Sequence, residues 1–420
     1  MPWRQGGDSR PITGQGPGAY TVAVRRNLAL LAISCAVALL AGELAARLLW
    51  PQLGWRLFPD VGLGWSSHEY RDFDPSARAR VEGRRRVLFL GDSFLAGAGN
   101  SSLDKRFPVA VGERLAGQLD VAILAAGGWG TDQQLLAFLQ KGRSWKPDLV
   151  VLAFTASNDL ANILSNRHRD KTKPYFVLGD GELALYTGEG EPADPVAVRA
   201  ESPARFQSYL LDLLRFVWRE RRPPDDARAG PDADFARVDP RYLRFDPLQQ
   251  KVFEITEAEG ALSWSPQLGV NWVNAYIHED FETNAYQWAL FARLLAELDR
   301  AVRASGAELV VMLLPVSLRP RDLRFVTGSG FEARFPTPDG PFRFRAAEPR
   351  DRLRRISAEL GVELFDPTLD WLRIVSERGL RDAAWEHAGD PHFSDAGHEL
   401  LAELTQRWLS ARIRSGREAG

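Results

Sequence analysis

Arg86-Val-Leu-Phe-Leu-Gly-Asp-Ser-Phe-Leu-Ala-Gly97 is the stretch on which the fold turns. Val87 to Leu90 form an apolar run without polar interruption, as expected of a strand buried on both faces. Gly91 then allows a sharp turn where a side chain would clash. Ser93 falls at the carboxyl end of that strand, the place where an open α/β sheet presents ligands and chemistry. Its backbone N–H opens the following turn, a natural position for developing negative charge. Gly-Asp-Ser is also ordinary turn chemistry, so the assignment depends on three later segments.

The second segment is Ala125-Ala-Gly-Gly-Trp-Gly-Thr-Asp-Gln133, behind a strand read at Val121 to Leu124 and a helix read at Phe107 to Leu119. Three glycines at a strand end fit close backbone approach to a ligand or oxyanion, or a plain turn before a helix at Gln133 to Leu139 capped by Thr131 or Asp132. A phosphate loop is excluded, because no Lys-Ser/Thr ending follows. The third segment follows the apolar strand Leu149 to Phe154 and reads Thr155-Ala-Ser-Asn-Asp159. Asn158 there can donate two amide hydrogens to an oxyanion, or serve as an Asx turn or helix cap. The fourth is Gly389-Asp-Pro-His-Phe-Ser-Asp-Ala-Gly-His398, a loop before a last helix bearing Leu400, Leu401, Leu404 and Trp408. His392 stands near Asp390, which could fix its tautomer. His398 reads as packing or capping.

Between these segments strands and helices alternate. Trp288, Phe291, Leu295, Leu298 and Val302 mark a helix with one buried face. Glu308 to Leu314 reads as a strand, Arg352 to Leu360 as a helix, and Val362 to Phe365 as another strand. Such alternation over 86–415 predicts a parallel sheet covered on both faces. Residues 165–285 read as an insertion. It holds an apolar helix with Leu210, Leu211, Leu214 and Trp218, a Pro- and charge-rich stretch from Arg221 to Pro240, and Trp264 and Trp272, read as packing or as a cleft wall.

The amino-terminal part has a different character. Residues 1–27 are read as a disordered cytoplasmic tail ending in Arg25-Arg26. Residues 28–50 are apolar enough to span about 30 Å of hydrocarbon, and Glu43 and Arg47 can pair near the interface. Flanking arginines place the N-terminus in the cytoplasm and the remainder across the membrane. An uncleaved signal anchor is the favoured reading, ahead of a cleaved signal peptide with Ala45-Ala46 near its end and a soluble amphipathic helix. Cys35 is read as a small buried apolar residue. Residues 51–85 are read as a linker, made basic by Arg78, Arg80, Arg84 and Arg85 and taken as a solvated lead-in to the first strand. A balance of 53 Lys and Arg against 55 Asp and Glu gives no general case for nucleic-acid binding. One cysteine and six histidines leave little for a disulfide framework or a metal site.

Taken together, Gly91-Asp92-Ser93, Gly128, Asn158 and the Asp390/His392 pair resemble the SGNH (GDSL-type) hydrolases over 86–415. Gly128-Trp-Gly-Thr-Asp-Gln133 is similar to the second block of membrane-anchored bacterial members. The resemblance implies a flavodoxin-like three-layer α/β/α fold and ester chemistry without a cofactor or metal. It implies Ser93 as nucleophile, His392 as base and Asp390 as its partner. The Ser93 N–H, Gly128 N–H and Asn158 side chain would then form the oxyanion hole. Implied substrates are acyl esters of lipids, sugars or cell-envelope glycans, and some relatives transfer acyl groups to polysaccharides instead. Three departures stand out: Ala156 replaces the usual Gly of the third block, the second lacks its opening Asn, and Asp390-x-His392 is one residue shorter than Asp-x-x-His. A non-catalytic anchored binding domain and a nucleotide-binding protein are the competing readings, the latter opposed by the lack of a Gly-x-Gly-x-x-Gly fingerprint.

Overall fold

The computed structural model describes residues 17–49, 58–60, 62–67, 70, 73–76, 79–168, 171–188, 190–194, 208, 210, 211, 214, 272–280, 282–318, 325–335, 342–380, 385–387 and 390–418. The chain divides into two units. One is Met1–Trp50 with Phe206–Arg221, and the other is Pro51–Arg205 with Arg222–Gly420.

The larger unit is built on five parallel strands: β1 (Arg85–Gly91), β2 (Leu119–Ala125), β3 (Leu149–Phe154), β4 (Glu308–Leu313) and β5 (Glu363–Phe365). Their spatial order is β2-β1-β3-β4-β5, the doubly wound flavodoxin-like arrangement. Apolar runs dictate it: Val87 to Leu90 and all six residues of β3 are buried, so neither strand tolerates a solvent face. Right-handed crossovers then fix the layers. The step from β1 to β2 runs one way along the sheet and every later step runs the other way. Accordingly α2 (Phe107–Arg114) packs with the closing helix α8 (Asp395–Glu418), and α3 (Thr131–Gln140) and α4 (Ala156–Asn162) pack with α5 (Glu282–Ala304). The α5 stripe is buried as its spacing predicts, with Phe291, Leu295, Leu298 and Val302 fully enclosed. Helices α6 (Glu348–Leu360) and α7 (Thr368–Glu377) flank β5.

Several boundaries differ from the sequence expectation. Helix α2 stops at Arg114, where the Leu115 carbonyl accepts from Gln118 and Leu119. Leu115 and Leu119 therefore straddle a turn, and Leu119 opens β2. Helix α3 begins at Thr131 with Gly130 as its cap, so Thr131 and Asp132 lie inside the first turn. Part of the segment read as linker is packed into the core: Leu63, Trp65, Tyr70 and Phe73 are buried. Trp65 Nε1 donates to Gly127 O at 2.8 Å, and Trp129 Nε1 returns a bond to Trp65 O at 2.9 Å. Within the insertion, Tyr175–Gly179, Glu182–Tyr186 and Pro192–Ala193 form an antiparallel meander. Arg221 to Pro240 and Trp264 lie outside the described residues, as does the Trp272 side chain.

The smaller unit contains α1 (Pro17–Leu49), which starts ahead of the apolar run, so residues 17–27 of the expected tail are helical. Its segment Arg25–Leu48 contains an 18-residue window of mean hydropathy 2.2 and is long and apolar enough to cross a membrane. Arg47 Nε donates to Glu43 Oε1 at 3.0 Å, the pairing read from their spacing. Cys35 is exposed on the helix surface and not buried as expected, because its neighbours on α1 are equally uncovered.

Candidate active site

Sheet register brings the first three segments to one edge. Gly91 lies beside Ala125, and Leu90 beside Leu152, so the residues after β1, β2 and β3 emerge together at their carboxyl ends. The connections leaving β1 and β3 wind in opposite directions along the sheet, and such a switch point opens a crevice in this class of sheet. Ser93 follows β1 and Asn158 follows β3, on either side of it.

Asp92 caps the turn Ser93–Ala96, its Oδ1 accepting from Phe94 N at 2.9 Å. The cap holds Ser93 at the head of the turn, partly exposed. The Ser93 Oγ lies 2.8 Å from His392 Nε2 across 299 residues of sequence. His392 sits on the strand Asp390–Phe393, which runs into α8, and its ring lies 4.6 Å from that of Phe94. The strand pairs antiparallel with Glu386–His387, and Phe393 is buried against Trp371, so the imidazole is aimed from a packed element. Asp390 opens that strand; its side chain lies outside the described residues. His398 is a core residue: its Nδ1 accepts from Phe107 N at 3.2 Å and its ring stacks on Phe107.

Asn158 Nδ2 donates to Asp92 Oδ2 at 2.5 Å, and its Oδ1 accepts from Asn162 Nδ2 at 2.7 Å. One amide hydrogen is thus committed to a carboxylate, leaving one of the two for an oxyanion. Asp92 thereby links the serine turn to the third segment. Burial pushes its carboxyl above the ordinary range, against the opposing hydrogen bonds from Asn158 and Phe94. Gly128 has φ +72°, a backbone state that L side chains rarely adopt. At Gly130 a Cβ would come within 3.1 Å of Asn162 Cβ and Ile163 N, so the absent side chain lets the second segment close on the third.

Beneath this surface lie buried ionisable residues, Asp159, Asp132 and Lys173, of which the sequence suggested only a capping role for Asp132. Asp159 accepts from Thr155 N at 2.7 Å, Gln134 Nε2 at 2.8 Å and Thr131 Oγ1 at 3.3 Å. Burial first, and the nearby Asp92 second, raise its carboxyl well above the ordinary range. Asp132 pairs with Lys173, and both side chains are about fully buried (0% and 1% exposed). Burial raises the Asp132 carboxyl and lowers the Lys173 ammonium. Asp92 and Asp159 stood beside quoted motif residues and could have been found; Lys173 has no local signal, since its partner is 41 residues away.

Residues 89–184 match the model of the GDSL-like lipase/acylhydrolase family, a span that contains Ser93, Gly128 and Asn158 and ends before His392. No curated protein matches the chain. Among solved structures, an acetyl xylan esterase is 10% identical with a TM-score of 0.34, covering 77% of this chain and 98% of its own. A lipase/acylhydrolase from Enterococcus faecalis is 13% identical at 0.34, covering 78% and 96%. A psychrotrophic esterase from Pseudoalteromonas sp. is 9% identical at 0.34, covering 79% and 99%. Similarities this low transfer no activity.

Proposed function

We infer, from the premise that this chain carries a GDSL-like lipase/acylhydrolase domain and is a serine hydrolase of ester bonds, that it removes O-acyl groups by a Ser93–His392–Asp390 mechanism on the far side of a membrane. The observation that carries the reading is the 2.8 Å approach of His392 Nε2 to Ser93 Oγ. A serine hydroxyl is a weak nucleophile until a base stands within hydrogen-bond reach. With Nδ1 protonated, Nε2 accepts the Ser93 proton as Oγ attacks the ester carbonyl carbon. The tetrahedral oxygen is stabilised by the Ser93 N–H, the Gly128 N–H and the uncommitted Asn158 amide hydrogen. Collapse expels the alcohol, which takes the proton back from His392. Water then attacks the acyl-Ser93 ester, losing a proton to Nε2, and collapse releases the carboxylic acid as Ser93 Oγ takes that proton back from His392. Asp390 is assigned to orient His392 through Nδ1 and to stabilise the imidazolium.

The setting follows from α1. Its apolar span and the Arg25-Arg26 pair on the amino side support a signal anchor with the catalytic unit outside the cytoplasm. There the substrate is an acyl ester of a lipid or envelope carbohydrate. The test is p-nitrophenyl acetate hydrolysis by the detergent-solubilised chain. His392→Ala should abolish most turnover; turnover unchanged in that variant would remove the base from the mechanism.

A further inference from the structure

Ser93 and His392 meet across 299 residues of sequence, and the reaction depends on how firmly that meeting is held. One contact that holds it is apolar. The Phe94 ring lies 4.6 Å from the His392 ring and 5.3 Å from that of Phe393. Ring contacts of this kind set a separation but tolerate sliding, because the hydrophobic effect behind them is non-directional.

A second contact is polar and directional. Asp395 opens α8, three positions after His392. Ser394 serves as a cap of that helix, its Oγ accepting from Gly397 N at 3.3 Å. The Asp395 carboxylate takes its hydrogen bonds from another element, the loop that follows the serine turn. Its Oδ1 accepts from Ser101 N at 2.9 Å and from Asn100 Nδ2 at 3.3 Å, and its Oδ2 accepts from Ser101 Oγ. Partial burial disfavours the charged carboxylate, but the bonds from Ser101 and Asn100 outweigh it and hold the group below its ordinary range. Hydrogen bonds to an ionised acceptor are shorter and stronger than neutral ones, so this contact has both direction and strength.

The loop leads straight back to the nucleophile. Asn100 N donates to Gly97 O at 3.2 Å, and Gly97 N and Ala98 N both donate to Ser93 O, the latter at 3.1 Å. Gly97 makes this reversal with φ +91°. The contacts close a ring that runs from the Ser93 backbone through Gly97, Asn100, Ser101, Asp395 and His392 to Ser93 Oγ.

We propose that Asp395 is a positioning residue of the ester-cleaving reaction, clasping the loop after the serine turn so that His392 Nε2 stays aligned on Ser93 Oγ. The proposal rests on the Ser93–His392 reading and gives Asp395 a role separate from that of Asp390, which is assigned to Nδ1. A misplacement of about 1 Å at reacting groups can cost 10²-fold in rate, so the loss of the clasp is read in kcat.

The detergent-solubilised full chain would be compared with Asp395→Ala, Ser101→Ala and Ser101→Thr in p-nitrophenyl acetate turnover and in the rate and final amplitude of fluorophosphonate labelling. The proposal expects Asp395→Ala to lower kcat by about 10- to 10²-fold at nearly constant KM, with the labelling rate slowed in parallel and the amplitude unchanged. Ser101→Ala should lose less, and Ser101→Thr, which keeps the hydroxyl, should stay near wild type. Combining Ser101→Ala with Asp395→Ala should be no slower than Asp395→Ala alone, because both remove one contact. Wild-type kcat and labelling rate in Asp395→Ala overturn the inference and leave the Ser93–His392 reading standing. A reduced amplitude whose remaining sites react at the wild-type rate means that Asp395 supports folding only, and also overturns it. Should Asp395→Ala fail to fold, Ser101→Ala carries the same comparison, and a wild-type rate there overturns the inference. A wild-type chain that takes no label on Ser93 removes the catalytic reading and the inference with it.

Discussion

Asn158 spends one amide hydrogen on the buried Asp92 carboxylate, and that single contact separates two kinds of variant. Ser93→Ala removes one partly exposed hydroxyl and should abolish ester cleavage with an unchanged Tm. Asn158→Ala should lower kcat by about 10² to 10³ with KM nearly constant, the pattern of a lost oxyanion donor. It should also lower stability by about 1–3 kcal/mol, because Asp92 is left buried without that partner. An unchanged Tm in Asn158→Ala would contradict the contact. Asp390→Asn should cost orders of magnitude in kcat through the wrong His392 tautomer; a near-silent variant would point to another acid. Asp159 gives a pH signature. Its carboxyl is raised by burial and by Asp92, so above the ordinary carboxylate range the folded chain binds more protons than the unfolded chain. Stability contributed there is present at low pH and is lost as pH rises toward the raised value. Urea midpoints of Asp159→Asn should fall less than wild-type midpoints over that rise, and parallel profiles would contradict the assignment. Ser93 and His392 could be singled out because Ser93 opens a turn at a strand end and His392 stands just ahead of a recognisable last helix. Asp92 was read only as turn chemistry, because its second role requires knowing that β1 and β3 are neighbours.

At the scale of elements, the loop Ala126–Gly130 and helix α3 are held from below by the Asp132–Lys173 pair and from the side by the Trp65–Trp129 exchange. Breaking a buried pair by removing one partner leaves an uncompensated charge and costs about 3–5 kcal/mol. Lys173→Met should lower the urea midpoint accordingly, and adding Asp132→Leu should restore much of the loss. A single variant that unfolds at the wild-type midpoint would mean the pair contributes nothing to this support. The sheet strands were legible as uninterrupted apolar runs, and the long helices α5 and α8 from the spacing that a buried face leaves in the chain. Helix α2 was overextended because Leu115 and Leu119 keep helical spacing across a turn that backbone bonds alone create. The core role of Leu63 to Phe73 was missed for a related reason. Trp65 and Tyr70 stand among basic and polar residues, and their partners, Gly127 and Gln140, are many residues away.

For the whole molecule, the sheet order β2-β1-β3-β4-β5 puts three of the four motif segments at one edge, and the fourth arrives on a strand that leads into the closing helix. Strand–helix alternation made that architecture readable, whereas the insertion follows no single period and gave the sequence reading little to hold. The anchored topology has its own check. A reporter active only outside the cytoplasm, fused after Gly420, should be active in the membrane fraction; the same activity released as a soluble domain would mean that α1 is cleaved. The central claim, that Ser93 is activated by His392 to attack esters, is tested most directly by fluorophosphonate labelling of the purified full chain, read by peptide mass mapping alongside residual esterase activity. The account predicts one adduct per chain, on Ser93, formed in step with the loss of activity and absent in His392→Ala. Full inactivation with Ser93 unmodified, or a Ser93 adduct on an enzyme that still hydrolyses ester, would contradict it.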